Sequence, residues 1–225
     1  MKKLKAVIFD MDGVLFDTER VYMKRLNRFM KHDGKQIDLH MQMILLGSSD
    51  QEKWNYIKTL YDNRISKEQF FQRYDTFYQK EPFSYQAIIF DEVKETLSAL
   101  YKQGYQLALA SSSLTSEINS ALNECHLAHY FTSILSGEQC VKTKPDPQIY
   151  LDTLERLSFD AKECIVVEDS TYGIQAAKAA GLFVVARKDA YINVDQSLAD
   201  RIIYQHHELF AIIEELERSE ILWKK

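Results

Sequence analysis

One stretch constrains this chain more than any other: Lys5 to Asp17, which reads Lys-Ala-Val-Ile-Phe-Asp-Met-Asp-Gly-Val-Leu-Phe-Asp. The run Ala6, Val7, Ile8, Phe9 shows no polar alternation, so it describes a strand covered on both faces, the kind found in parallel sheets with helices above and below. It ends abruptly at two carboxylates, Asp10 and Asp12. Side chains two residues apart share a face of an extended chain, so both acids can address one small space, and Gly13 lets the backbone turn away at once. Two carboxylates held together require a cation or a shared proton.

The later chain supplies the rest of such a sheet. Strands are expected at about Tyr105 to Ala110, Ser133 to Leu135, Cys164 to Val167 and Leu182 to Ala186, with a last short one near Ile202 and Ile203. Helices at about Thr115 to Cys125, Pro147 to Leu157 and Thr171 to Ala180 alternate with them, and a final helix carries Leu209, Ile212, Ile213 and Leu216. This alternation implies right-handed crossovers and a doubly wound, Rossmann-like α/β fold with a parallel sheet. Asp91 and Asp146 stand where helix N-caps are expected, and Gly181 where a helix should stop.

Between Arg20 and about Tyr78 no convincing strand interrupts the helical pattern. Tyr22, Leu26, Phe29 and Met30 form one stripe, and Trp54, Ile57, Leu60 and Tyr61 a second. Stripes of this kind are packing faces, and with Phe70, Phe71, Tyr74, Phe77 and Tyr78 they describe a helical bundle with its own core. The expected organisation is a core domain from residues 1–17 and 85–225, with a helical domain at 18–84 inserted between its first and second strands.

The formal charge of −5 and the lack of a basic cluster argue against non-specific binding to nucleic acid or an anionic membrane. No stretch approaches the ~20 apolar residues of a membrane span. Cys125, Cys140 and Cys164 are odd in number and form no C-x-x-C pair, which suits free thiols in a reducing compartment, so a cytoplasmic protein acting on small molecules is expected. No pattern sets the oligomeric state, and a monomer is the default.

In an open parallel sheet, ligands bind beyond the carboxyl ends of the strands. Strand one ends in Asp10 and Asp12; the run at Leu107 ends in Ser111, Ser112 and Ser113; the run at Ile165 ends in Glu168 and Asp169; Lys142, Lys144 and Pro145 follow the short strand between the last two. Each feature alone has an ordinary explanation as a loop acid, a helix cap or a solvated turn. In this order they gather acids, hydroxyls and an amine at one edge of one sheet. The six histidines show no metal-ligand spacing, and His126 and His129 look like helix surface.

This set resembles the haloacid dehalogenase-like hydrolase superfamily and, within it, the β-phosphoglucomutase-like phosphatase branch. Asp10-Met11-Asp12-Gly13-Val14-Leu15 matches the first motif, Ser111 the second, Lys144-Pro145 the third, and Val167-Glu168-Asp169-Ser170 with Gly173 the fourth. The helical insert falls where this branch carries its cap domain. The resemblance implies a Mg²⁺-dependent hydrolase of small phosphomonoesters, with Asp10 as nucleophile and Asp12 as general acid and base. It implies Ser111, Ser112 and Lys144 at the phosphate, and Asp10, the Asp12 carbonyl, Asp169 and Glu168 at the metal. Oxygen-only donors suit Mg²⁺.

The acid at Asp12 speaks against the dehalogenase and phosphonate-cleaving branches, which the resemblance describes as lacking it. Phosphosugar mutases keep it, and remain the alternative. They carry a basic residue shortly after a cap glycine and a histidine in the first cap helix; here Gly47-Ser48-Ser49 is followed by Asp50, and Tyr22 stands at the histidine position. Both differences favour a phosphatase. A catalytically silent binding or regulatory protein would be expected to lack a carboxylate or the lysine, and this chain retains them.

Overall fold

The structure, a computed structural model, describes residues 3–45, 50–78, 83–189 and 194–218. Six strands form one parallel sheet: β1 (Ala6–Phe9), β2 (Gln106–Ser111), β3 (Phe131–Ser136), β4 (Cys164–Glu168), β5 (Phe183–Arg187) and β6 (Arg201–Ile203). Their order is β3-β2-β1-β4-β5-β6, so β1 pairs with β2 on one side and β4 on the other. All four residues of β1 are fully buried, as a central strand without polar alternation must be. The chain builds outward from β1 through β2 to β3, then returns to β1's other side to lay down β4. The strand order reverses there, and the crevice at such a point is where doubly wound folds bind ligands.

The crossover helices are α5 (Val93–Lys102), α6 (Thr115–Glu124), α7 (Gln148–Leu157) and α8 (Thr171–Ala179), and α9 (Glu208–Arg218) follows β6. One core cluster joins Ile8, Ala108 and Val166 from the sheet to Ile149, Tyr150 and Leu154 of α7 and Ile174 of α8. Two expected caps differ in detail. The N-cap of α5 is Glu92, with no side-chain cap, so Asp91 lies outside the helix. Pro147 takes the N-cap position of α7, while Asp146 Oδ1 accepts from the Gln148 amide at 3.0 Å and caps from one residue earlier. Gly181 does end α8, at φ +78°, in the left-handed region that favours glycine. His126 is not helix surface: it sits just past α6 at φ +58°.

The chain divides into two compact units, one holding the sheet and one built around Thr18–Ser84. The second contains α1 (Thr18–His32), α2 (Leu39–Leu45), α3 (Asp50–Leu60) and α4 (Lys67–Tyr78). Its core is aromatic: Phe29 meets Phe70, Tyr74 and Phe77 edge-on at 5.5–5.6 Å between centroids. Such pairs add about 0.5–1.5 kcal/mol each beyond their area. In α1 the buried stripe starts at Met23, one residue later than expected, and Tyr22 is only half-buried, its ring 6.3 Å from that of Phe83. Gly47, Ser48 and Ser49, the segment on which the contrast with the mutases rests, lie outside the described residues.

Candidate active site

Asp10 follows the last residue of β1, where its amide still bonds the Val167 carbonyl of β4 at 3.0 Å. The backbone then turns: Leu15 and Phe16 amides both donate to the Met11 carbonyl, and Gly13 adopts φ +71°. Glu168 closes β4 and is fully buried. Lys144, from the loop between β3 and α7, joins the two strand ends. Its ammonium donates to Asp10 Oδ1 at 2.6 Å, to Glu168 Oε1 at 2.6 Å and to the Ala110 carbonyl of β2 at 3.1 Å.

Glu168 is the most heavily engaged of the acids. Besides Lys144 it accepts from Tyr150 Oη at 2.8 Å, the Asp169 amide at 2.9 Å, and the Ser170 amide and hydroxyl, each at 3.1 Å. These donors use up the roughly four lone-pair sites of a carboxylate, which makes Glu168 an anchor for the lysine and for the loop that carries Asp169. Ser170 Oγ also accepts from the Gly173 amide at 3.0 Å and so caps α8. Gly173 has no alternative here, because a Cβ on it would lie 1.8 Å from Glu168 Oε1. Gly13 is bound in the same way, since a Cβ there would lie 1.9 Å from Asp169 Oδ2.

Burial pushes the Asp10 carboxyl up to about 7, with Glu168 and Asp12 adding to the rise and Lys144 opposing it. Burial acts on Glu168 in the same direction, but Lys144, Tyr150 and the Ser170 amide outweigh it and hold Glu168 below its usual range. Burial alone would lower Lys144, yet Asp10 and Glu168 keep it firmly protonated. The ammonium stands equally close to both carboxylates, so Asp10 and Glu168 share one positive charge between them.

Oxygens of Asp10, Glu168 and Asp169 all lie within 4.8 Å of one another. That spacing and the all-oxygen set suit a hard divalent cation, with Asp10 and Asp169 as its candidate carboxylates, since the donors on Glu168 already occupy its lone pairs. The Asp12 carboxylate stands apart from this trio and accepts a short hydrogen bond from Ser113 Oγ. Ser111, fully buried at the end of β2, accepts from the Ser113 amide at 3.1 Å, while Ser112 is exposed. Ser136 Oγ of β3 donates to the Ser113 carbonyl at 2.6 Å and fixes this loop from behind.

The residues from Val7 to Arg187, which include every group just described, match the family model for haloacid dehalogenase-like hydrolases. The chain belongs to that family. It is 35% identical over 179 residues to a phosphorylated carbohydrates phosphatase of Thermotoga maritima, covering 80% of this chain and 82% of that one. It is 26% identical over 189 residues to a fructose-1-phosphate phosphatase of Escherichia coli, covering 82% and 96%. Among solved structures it superposes on a β-phosphoglucomutase of Clostridium difficile with a TM-score of 0.70 at 24% identity, covering 95% and 97%, a likeness of fold alone.

In this member of the family, the residues expected from the strand ends are joined by others that the pattern did not reveal. Tyr150 falls within the helix expected at Pro147 to Leu157, with nothing in the sequence to mark its hydroxyl. Ser113 is among the strand-end hydroxyls of the sequence, but nothing there ties it to Asp12. Arg187 had a usable signal: it ends the apolar run of β5, the same strand-end position that revealed Asp10 and Glu168.

Proposed function

We propose that this protein is a Mg²⁺-dependent phosphatase that hydrolyses a small phosphomonoester, with a phosphorylated sugar as the substrate class, through an aspartyl-phosphate on Asp10. The observation that carries the reading is Asp10 itself, a carboxylate buried at the end of the central strand, at the point of strand-order reversal, and sharing one ammonium with Glu168. Relatives named as phosphatases of phosphorylated carbohydrates and of fructose 1-phosphate support the substrate class.

A carboxylate oxygen of Asp10 attacks phosphorus in line with the ester oxygen, the ester P–O bond breaks, and Asp12 gives its proton to the departing alkoxide. Asp12, now a carboxylate, takes a proton from water as that water attacks the same phosphorus. The bond to Asp10 breaks and inorganic phosphate leaves. Ser113 steadies Asp12 for both transfers. Lys144 offsets charge on Asp10 and on the phosphoryl oxygens, while Ser111 and Ser112 lie where the loop after β2 can donate to those oxygens. Asp10, the Asp12 carbonyl and Asp169 would hold Mg²⁺, with Glu168 behind them, and the ion would draw charge from the transferring phosphoryl group. The unit at 18–84 takes the part of a cap that selects among substrates.

The test is a panel of phosphorylated metabolites assayed for released phosphate, with Mg²⁺ and with chelator. Steady release that depends on Mg²⁺ and needs no bisphosphate activator is expected. Asp10→Asn should abolish it, and Asp12→Asn should slow it by about 10²–10⁴. Transfer of phosphate between two positions of one sugar, dependent on a bisphosphate and with little phosphate released, would make the protein a mutase instead.

A further inference from the structure

Three buried donors outside the catalytic set grip the backbone that carries it. Arg187, at the end of β5, donates from Nη1 to the Gly13 carbonyl at 2.9 Å, and its guanidinium lies 3.5 Å from the centroid of the Phe90 ring. His206, just before α9, bonds the next carbonyl, that of Val14, through Nε2 at 2.7 Å. Gln196 spans the other side, with Nε2 donating to the Asp169 carbonyl at 2.6 Å and to the Arg187 carbonyl at 2.9 Å. Their relative exposures are 8%, 3% and 8%, so each is a polar group placed in the interior at a desolvation cost that its bonds must offset.

We propose that Arg187, fixed by Gln196 and Phe90 and partnered by His206, is a positioning residue for the acidic centre, setting where the Asp169 carboxylate stands relative to Asp10 and Asp12. The mechanical link is Gly13. The Asp169 carboxylate rests directly on the Cα of Gly13, with no room for even a methyl group between them. Gly13 follows Asp12 immediately, so the guanidinium that holds the Gly13 carbonyl fixes both the seat of Asp169 and the exit of Asp12 from the site. Gln196 ties the Asp169 backbone to the same arginine, which closes the loop from β4 to β5 and back to the turn after β1. A planar guanidinium suits this post, because it can stack on Phe90 and donate in its own plane at once, which an ammonium cannot do.

The proposal rests on the metal-dependent phosphatase reading, and Mn²⁺ serves as the probe because its binding can be followed by electron paramagnetic resonance without turnover. Arg187→Met should raise the dissociation constant for Mn²⁺ on the order of tenfold and lower kcat by a similar or larger factor, as expected when a group supporting metal ligands is lost. KM for the phosphomonoester should change little. Arg187→Lys should recover part of both losses, since it restores a donor without the stacked plane. Gln196→Met, which removes the brace and leaves the arginine, should shift Mn²⁺ affinity in the same direction, and it provides the test if Arg187→Met does not fold. If either folded variant binds Mn²⁺ and turns over like the wild type, with only its melting temperature lowered, Arg187 is a structural residue and the proposal is wrong. Wild-type protein that binds no Mn²⁺ would remove the phosphatase reading itself, and the proposal with it.

Discussion

Gly173 lies in the first turn of α8, where a methyl group would stand 1.8 Å from Glu168 Oε1 and 2.0 Å from its Cδ. On helix propensity alone, Gly173→Ala would stabilise by roughly 0.5–1 kcal/mol. Here the steric term wins, because Glu168 is held by Lys144, Tyr150 and the Ser170 amide and cannot yield without breaking those bonds. Thermal denaturation and phosphatase assays of Gly173→Ala should show a loss of roughly 1–3 kcal/mol in stability together with at least a tenfold loss of activity. Gly34→Ala is the contrast: φ there is +68° but nothing lies within 4 Å of the added carbon, so only backbone strain of about 1–2 kcal/mol is expected, with kcat unchanged. Asp10 and Glu168 could be picked out from the sequence because each stands where an apolar strand run stops, and Lys144 because it lies in the loop between the third strand and the next helix. The requirement at Gly173 was legible only through its match to a motif, since the clash that enforces it arises from a side chain folded back over the helix.

At the scale of elements, β1 and β4 were plain in the sequence because their four or five residues are wholly apolar until the final acid. β6 has only three residues with two exposed, and so carries little periodic signal. The start of α9 was harder still, because nothing in a polar stretch marks His206 as interior. A carbonyl can only accept, so the ring nitrogen facing Val14 carries the proton. Burial lowers the imidazole from 6.5 to about 4, with the Arg187 charge pulling the same way and Val14 and Glu92 opposing. The unfolded chain therefore binds the proton first as pH falls. The neutral histidine's contribution is complete above about 6.5 and disappears as pH drops toward 4, a difference of about 3 kcal/mol. Asp10, raised from 3.8 to about 7, acts oppositely, its folded form binding the proton first, so wild type alone would show a mixed slope. Urea denaturation between pH 4 and 7 should show that His206→Gln loses less stability on acidification than wild type. Identical slopes would mean that His206 is not held neutral.

On the scale of the whole molecule, the doubly wound fold and the helical insert follow from two patterns, alternating strand and helix on one side of a break and unbroken helix on the other. Side-chain networks such as Arg187–Gly13 and Gln196–Asp169 span 174 and 27 residues, and no local periodicity encodes them. No helix among the described residues is long and apolar enough to cross a membrane. The covalent role proposed for Asp10 can be measured most directly by exposing Asp12→Asn protein, with Mg²⁺, to an aryl phosphate whose phenolate leaves without protonation and mapping the product by peptide mass spectrometry. Without the carboxylate proposed to activate water, the intermediate should persist, and one phosphoryl group should be found on the peptide carrying Asp10 and removed by hydroxylamine. An unmodified Asp10 peptide, together with continued phosphate release by Asp10→Asn, would contradict the covalent mechanism.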